Sequence, residues 1–224
     1  VNAGGGTMAE PLTPDDELTA LLPKTPRGER TRRRILDAAE QEIGRLGFGV
    51  ASVSGITTAA RIAQGTFYVY FKSKEDVLRE LVLHMGRLVR SRLSQATAGA
   101  ADRIDAERLG LRAFLEFVRE HPNLYRVVEE AQFINESAYR RYYDDFAGGY
   151  SAGLEEAVAR REIRAGDAEI RAWALMGMAK ALGQRYALWE PGRSLDEVVE
   201  HTMDLICDGL RARGGGGAAP RKKR

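Results

Sequence analysis

The stretch "GTFYVYFKSKEDVL", residues 65–78, sets four aromatic side chains into five positions and follows them with Lys72, Ser73 and Lys74. Phe67 and Phe71 stand four residues apart, the spacing that puts two side chains on one face of a helix. Tyr68 and Tyr70 then project elsewhere, with lysines close behind. The division predicts a short helix whose phenylalanines pack inward and whose tyrosines, with Lys74, meet something negatively charged. Ser73 with Asp76 three residues on forms a capping box, so a longer helix begins at Lys74.

Upstream of that stretch the pattern extends. Ile35, Leu36, Ala39, Ile43 and Leu46 fall on one stripe at helical spacing and predict a helix over 27–46, stopped by Gly47. Two short helices follow, over 53–60 and 64–71, with Ser52 as the N-cap of the first. A long helix followed by two short ones is a helix-turn-helix pattern, whose last member is the one able to enter a major groove. Gly65 lets backbone come close to a phosphate, and Thr66 offers a hydroxyl and a methyl to phosphate or thymine. The hydroxyls of Tyr68 and Tyr70 suit phosphate oxygens, and Lys74 begins a helix whose free N–H groups favour the same partner.

Charge points the same way. The net charge of +2 conceals a division: −4 over residues 1–23, +6 over 24–74, −4 over 75–213 and +4 over 214–224. "RGERTRRR" sets Arg27, Arg30, Arg32, Arg33 and Arg34 at the start of the first helix. Cations there cost about 0.3–1 kcal/mol each, which a nearby polyanion offsets. A basic block beside a mildly acidic one assigns a nucleic-acid partner to the first alone.

Beyond Lys74 the chain reads as helical throughout, over 74–93, 106–120, 123–133, 136–161, 167–188 and 195–213, with no period-two alternation. The expected fold is all-α, about nine helices: a helix-turn-helix domain over 24–73 and a larger helical domain over 74–213, with 74–93 connecting them. Residues 1–23 read as a disordered leader and 214–224 as a flexible basic tail.

No apolar run reaches the roughly 20 residues of a membrane span, and the start lacks a secretory pattern, so the expected location is the cytoplasm. His84, His121 and His201 are scattered, and Cys207, the only cysteine, reads as a buried inert thiol on the last helix. No metal, cofactor or catalytic cluster is expected, and the chain does not read as an enzyme.

The segments "RRILDAAEQEIGRLGF" and "SVSGITTAARIAQGTFYVYFKSKEDVL" resemble the DNA-binding domain of the TetR family of bacterial transcription regulators. The resemblance implies base contacts from Gln64, Gly65, Thr66 and Val69. It implies phosphate contacts from Ser52, Ser54, Tyr68, Tyr70 and Lys74, to which the arginine-rich start adds Arg30 and Arg33. Two positions depart from the family. Arg61 replaces the turn glycine, at about 1–2 kcal/mol if left-handed. Ala63 replaces a Ser or Thr cap, forgoing about 1 kcal/mol.

For the C-terminal half the resemblance implies an effector pocket between helices. The candidate lining is Phe114, Phe117, Phe133, Tyr142, Tyr143, Phe146, Gly149, Trp173 and Met176. An apolar or amphipathic effector fits it, a long acyl or aryl thioester among them. Leu182, Tyr186, Trp189, Val198, Leu205 and Ile206 on the last two helices are the candidate dimer interface. The combined expectation is a homodimeric repressor released from a palindromic operator by a small effector. An architectural DNA-binding protein without an effector is the alternative.

Overall fold

Thr25 and Pro26 open the first helix for separable reasons. Thr25 Oγ1 accepts a hydrogen bond from the Gly28 amide at 3.1 Å, and Pro26 occupies a first-turn position where no amide donor is required. The computed structural model describes Pro23 and residues 25–210. The expectations for the leader before Pro23, for the basic tail and for the end of the last helix at 211–213 lie outside those residues.

The elements in order are α1 (Pro26–Leu46), α2 (Val53–Ala59), α3 (Gln64–Tyr70), α4 (Lys74–Thr97), α5 (Arg103–Glu120), α6 (Pro122–Ile134), α7 (Glu136–Ala159), α8 (Ala168–Leu182), a π-helical turn over Gly183–Trp189, and α9 (Leu195–Asp208). No strand occurs among the described residues, and the all-α expectation agrees with the structure.

The chain divides into two compact units. Among the described residues, the first gathers those up to position 84 with 123–139, the second 85–122 with those from 140 onward. In the first, Ile35, Ala39 and Ile43 of the stripe read from the sequence are buried while Leu36 and Leu46 are half-buried, and Ile56, Phe67, Phe71 and the α4 residues Val77, Leu78 and Leu81 are buried with them. α6 belongs to this unit and buries Leu124, Val127, Val128 and Ala131. Its approach depends on Gly44, where a Cβ would come within 2.7 Å of Asn123 Cα. Gly47, with φ of 81°, then turns the chain out of α1.

In the second unit α5 packs on α8, the π-helical turn and α9, around Leu115, Leu195, Val198, Val199 and Met203. The expected continuous helix over 167–188 is not what forms. α8 ends at Leu182, and the next seven residues widen into a π-helix. Phe114 Cε1 would lie 3.2 Å from a Cβ on Gly183. Arg119, reaching across from α5, donates to the carbonyls of Tyr186 at 3.1 Å and Arg193 at 2.7 Å. Cys207 is exposed, not buried as expected. The buried stripe of α9 runs through Leu195, Val198, Val199, Thr202 and Met203, and leaves position 207 facing outward.

Candidate functional site

The recognition element is α3, and its placement begins with α2. Ser52 Oγ accepts from the Gly55 amide at 3.0 Å and caps α2. That helix closes with two crossed bonds, Arg61 N–H to Thr58 O at 3.1 Å and Ile62 N–H to Thr57 O at 3.0 Å, which place Arg61 in the left-handed region with φ of 53°. Arg34 of α1 supports this turn, donating to the carbonyl of Ala60 and, at 3.0 Å, to that of Arg61. As expected, Ala63 precedes α3 without a side-chain cap bond.

Phe67 and Phe71 anchor α3 from below. Both are buried, with ring centroids 5.8 Å apart. Arg32 lies 5.1 Å over the Phe71 ring and pairs with Glu80 at 2.6 Å. The opposite face is left to solvent: Gln64 and Gly65 are exposed, Tyr68 is 51% exposed and Val69 63%. These positions recur at i, i+1, i+4 and i+5, one face of a helix. Nothing lies within 4 Å of a Cβ on Gly65. Thr66 and Tyr70 are half-buried, and the Tyr70 hydroxyl reaches the start of α1, 3.5 Å from a Cβ on Gly28.

Of the candidate phosphate contacts, Arg30, Arg33, Ser52 and Ser54 are exposed. Arg27, Arg30 and Arg33 have no side-chain hydrogen bond or ion pair among the described residues. Lys74 differs from its sequence reading. Its ammonium donates to the carbonyls of Phe48 and, at 2.6 Å, Ala51, and sits 4.1 Å from the centre of the Phe48 ring. The loop after α1 presents those carbonyls where α4 begins, so most of the donor capacity of Lys74 is used inside the head. Sequence reasoning also missed Arg34 and Glu130. The latter, on α6, accepts from the Phe48 amide at 2.6 Å, and no local motif marks it.

In the second unit the candidate ligand residues separate. Tyr142 and Tyr143 meet edge to face at 5.0 Å, Phe146 lies 6.4 Å from Tyr142, and Trp173 stacks on Tyr143 at 6.1 Å. Met176 is half-buried on the same helix as Trp173. Phe117 packs on His121 at 4.5 Å, and Phe114 packs against the α5–α9 core. Two candidates are exposed to solvent. Phe133, on α6 of the first unit, is 85% exposed because the buried face of that helix is taken by Leu124, Val127, Val128 and Ala131. Gly149 is exposed, with nothing within 4 Å of a Cβ.

A buried polar group lies between α5 and α7. Arg103 pairs with Glu107 at 2.6 Å, and the Tyr150 hydroxyl donates to the other Glu107 oxygen. Burial, and then the Glu107 charge, push the Tyr150 phenol well above its ordinary value, so it stays a neutral donor. Gly153 makes room, since a Cβ there would stand 2.6 Å from Arg103 Nη1.

The candidate dimer residues also divide. Val198 is buried in the chain's own core, and Leu182, Tyr186 and Ile206, each half-buried, pack against that core. Trp189 is 64% exposed and Leu205 40%. α8, apolar apart from Glu169, Arg171 and Lys180, is largely uncovered. Ala172 is its only buried residue, while Ile170, Trp173, Ala174, Gly177 and Ala181 are exposed.

Residues 35–81 match the model of the tetR family of bacterial regulatory proteins. Over 201 residues the chain is 28% identical to the uncharacterized HTH-type transcriptional regulator YdgC of Bacillus subtilis (strain 168), covering 84% of this chain and 96% of that protein. Its fold is similar to the fatty acid degradation regulator FadR of Bacillus halodurans, with a TM-score of 0.74 at 22% identity over 86% of this chain and all of the other (100%). It is similar also to FadR of Bacillus subtilis in complex with stearoyl-CoA, with a TM-score of 0.71 at 22% identity over 80% and 99% of the two chains. Residues 35–81 thus carry the DNA-binding domain of the tetR family of bacterial regulatory proteins, in a chain similar along most of its length to an HTH-type transcriptional regulator.

Proposed function

We propose that the protein is a homodimeric repressor that holds a palindromic operator and releases it when an apolar or amphipathic effector occupies its C-terminal helical unit. The observation that carries the reading is the division of α3: Phe67 and Phe71 are locked inside while Gln64, Gly65, Tyr68 and Val69 face outward. In a two-fold dimer, two such helices about 34–36 Å apart, or a multiple of that spacing, address successive turns of one face of the duplex.

The exposed apolar face of α8, with Trp189 and Leu205, supports association of two copies, since an apolar patch of this kind favours a partner over water. The aromatic group around Tyr142, Tyr143, Phe146 and Trp173 supports an apolar effector. A long-chain acyl thioester is the lead class, because a structure of similar fold holds stearoyl-CoA. Effector and operator are then coupled reciprocally by about 1–3 kcal/mol.

Fluorescence anisotropy with duplexes selected from a random pool tests the reading. Specific binding to a palindrome, weakened by long-chain acyl-CoA, is the expected result. Binding without sequence preference, footprint or acyl-CoA response would instead mark an architectural DNA-binding protein.

A further inference from the structure

The turn between α2 and α3 carries an arginine in a backbone conformation that side chains avoid. Arg61 has φ of 53°, and glycine satisfies that position without strain. A cation after a helix C-terminus gains from the helix dipole, but by less than left-handed geometry costs. The Arg61 side chain is exposed, with no hydrogen bond or ion pair among the described residues.

A second observation concerns charge. The charged side chain bonded to this turn is another cation, Arg34, which donates to the carbonyls of Ala60 and Arg61. Two arginines thus converge on one turn, three residues before Gln64 and on the same unit as Arg27, Arg30 and Arg33, which have no partner among the described residues. The chain contains its own control. Arg161 closes α7 with the same crossed bonds and φ of 60°. There the neighbouring Arg160 is balanced by Glu162 at 2.7 Å and Glu156 at 3.5 Å. The turn at Arg161 is neutralised from within, whereas the turn at Arg61 is not.

We propose that Arg61 is a DNA-backbone contact: its guanidinium binds a phosphate beside the groove that α3 enters, and the bound phosphate offsets the strain of its backbone. The inference rests on the operator-binding reading above. It concerns phosphate, so it adds affinity without reading sequence.

The test uses the full chain, a duplex selected by the wild type from a random pool, and a random duplex. The variants are Arg61→Gly, Arg61→Asn and the control Arg161→Gly. Both Arg61 variants are expected to melt no lower than the wild type, since either residue accepts the left-handed position. They should bind both duplexes roughly tenfold more weakly, with a log–log salt slope shallower by about 0.9 for each phosphate that is no longer neutralised. Arg161→Gly should bind as the wild type does. Arg61→Gly with unchanged affinity and slope would overturn the proposal, and a changed preference at one base pair would overturn its assignment to phosphate. A wild type that selects no duplex overturns the regulator reading itself, before any variant is measured.

Discussion

The Lys74 ammonium rests 4.1 Å from the centre of the Phe48 ring and donates to that residue's own carbonyl. On the other side of the same residue, Glu130 accepts from the Phe48 amide at 2.6 Å. One residue of the loop after α1 is therefore held by a cation at the start of α4 and by an anion on α6. Charge-assisted bonds of this kind are about twice as strong as neutral ones, and here they fix a loop that carries no regular structure of its own.

Lys74→Met should lower the unfolding free energy by about 1.5–3 kcal/mol, the range for hydrogen bonds to a charged group. Denaturant titration measures it. DNA affinity should fall to a similar degree on every duplex, because a loosened head is poorer at all sequences. A variant that melts like the wild type but shows a flatter salt slope would return Lys74 to the role of a free phosphate contact.

Gly44→Ala tests the approach of α6 to α1. Its Cβ would stand 2.7 Å from Asn123 Cα, a backbone atom that cannot swing aside. Overpacking of this kind costs about 1–3 kcal/mol. Thermal melting should register the loss, and the hydrogen bond from Asn123 Nδ2 to Gln41 at 2.8 Å should open with it. An unchanged melting temperature would mean that the two helices separate freely at this point.

The residues that sequence could place were those governed by neighbours within one or two turns. The inward pair Phe67 and Phe71 and the Ser52 cap follow from local spacing and turn chemistry, whereas the turn at Arg61 was marked only by the glycine that the family resemblance puts there. Glu130 and Arg34 were invisible because their partners lie 82 and 26 residues away. Val198 was misplaced because the face of α9 that packs on α5 cannot be told, by periodicity alone, from one kept for a second chain. The π-helical turn left no local signal either, and the Arg119 side chain that donates to its Tyr186 carbonyl lies 67 residues upstream.

Gly177→Glu should separate the two kinds of apolar face. Gly177 is exposed and nothing lies within 4 Å of a Cβ there, so the isolated chain accommodates the glutamate. In a dimer closed through α8 the charge is buried without a partner. Sedimentation velocity should show monomer, with operator affinity lost and helical content kept. Val198→Glu, by contrast, puts a charge into the chain's own core and should unfold the second unit. A Gly177→Glu protein that stays dimeric would exclude α8 from the interface.

Glu40 supplies a dependence on pH with a definite sign. Burial on α1, and then the nearby Asp37 charge, raise its carboxyl above the ordinary value of 4.5. Folding therefore favours the protonated acid. The stability this group contributes is complete below about 4.5 and is lost as pH rises through the higher folded value. Glu40→Gln removes the ionisation while keeping the shape, so it should raise the melting temperature at pH 7. The advantage should shrink on acidification and vanish below the unfolded-state value. Melting curves at several pH values decide the matter: a gain that persists undiminished at acid pH would mean that packing, not the relieved charge, had produced it.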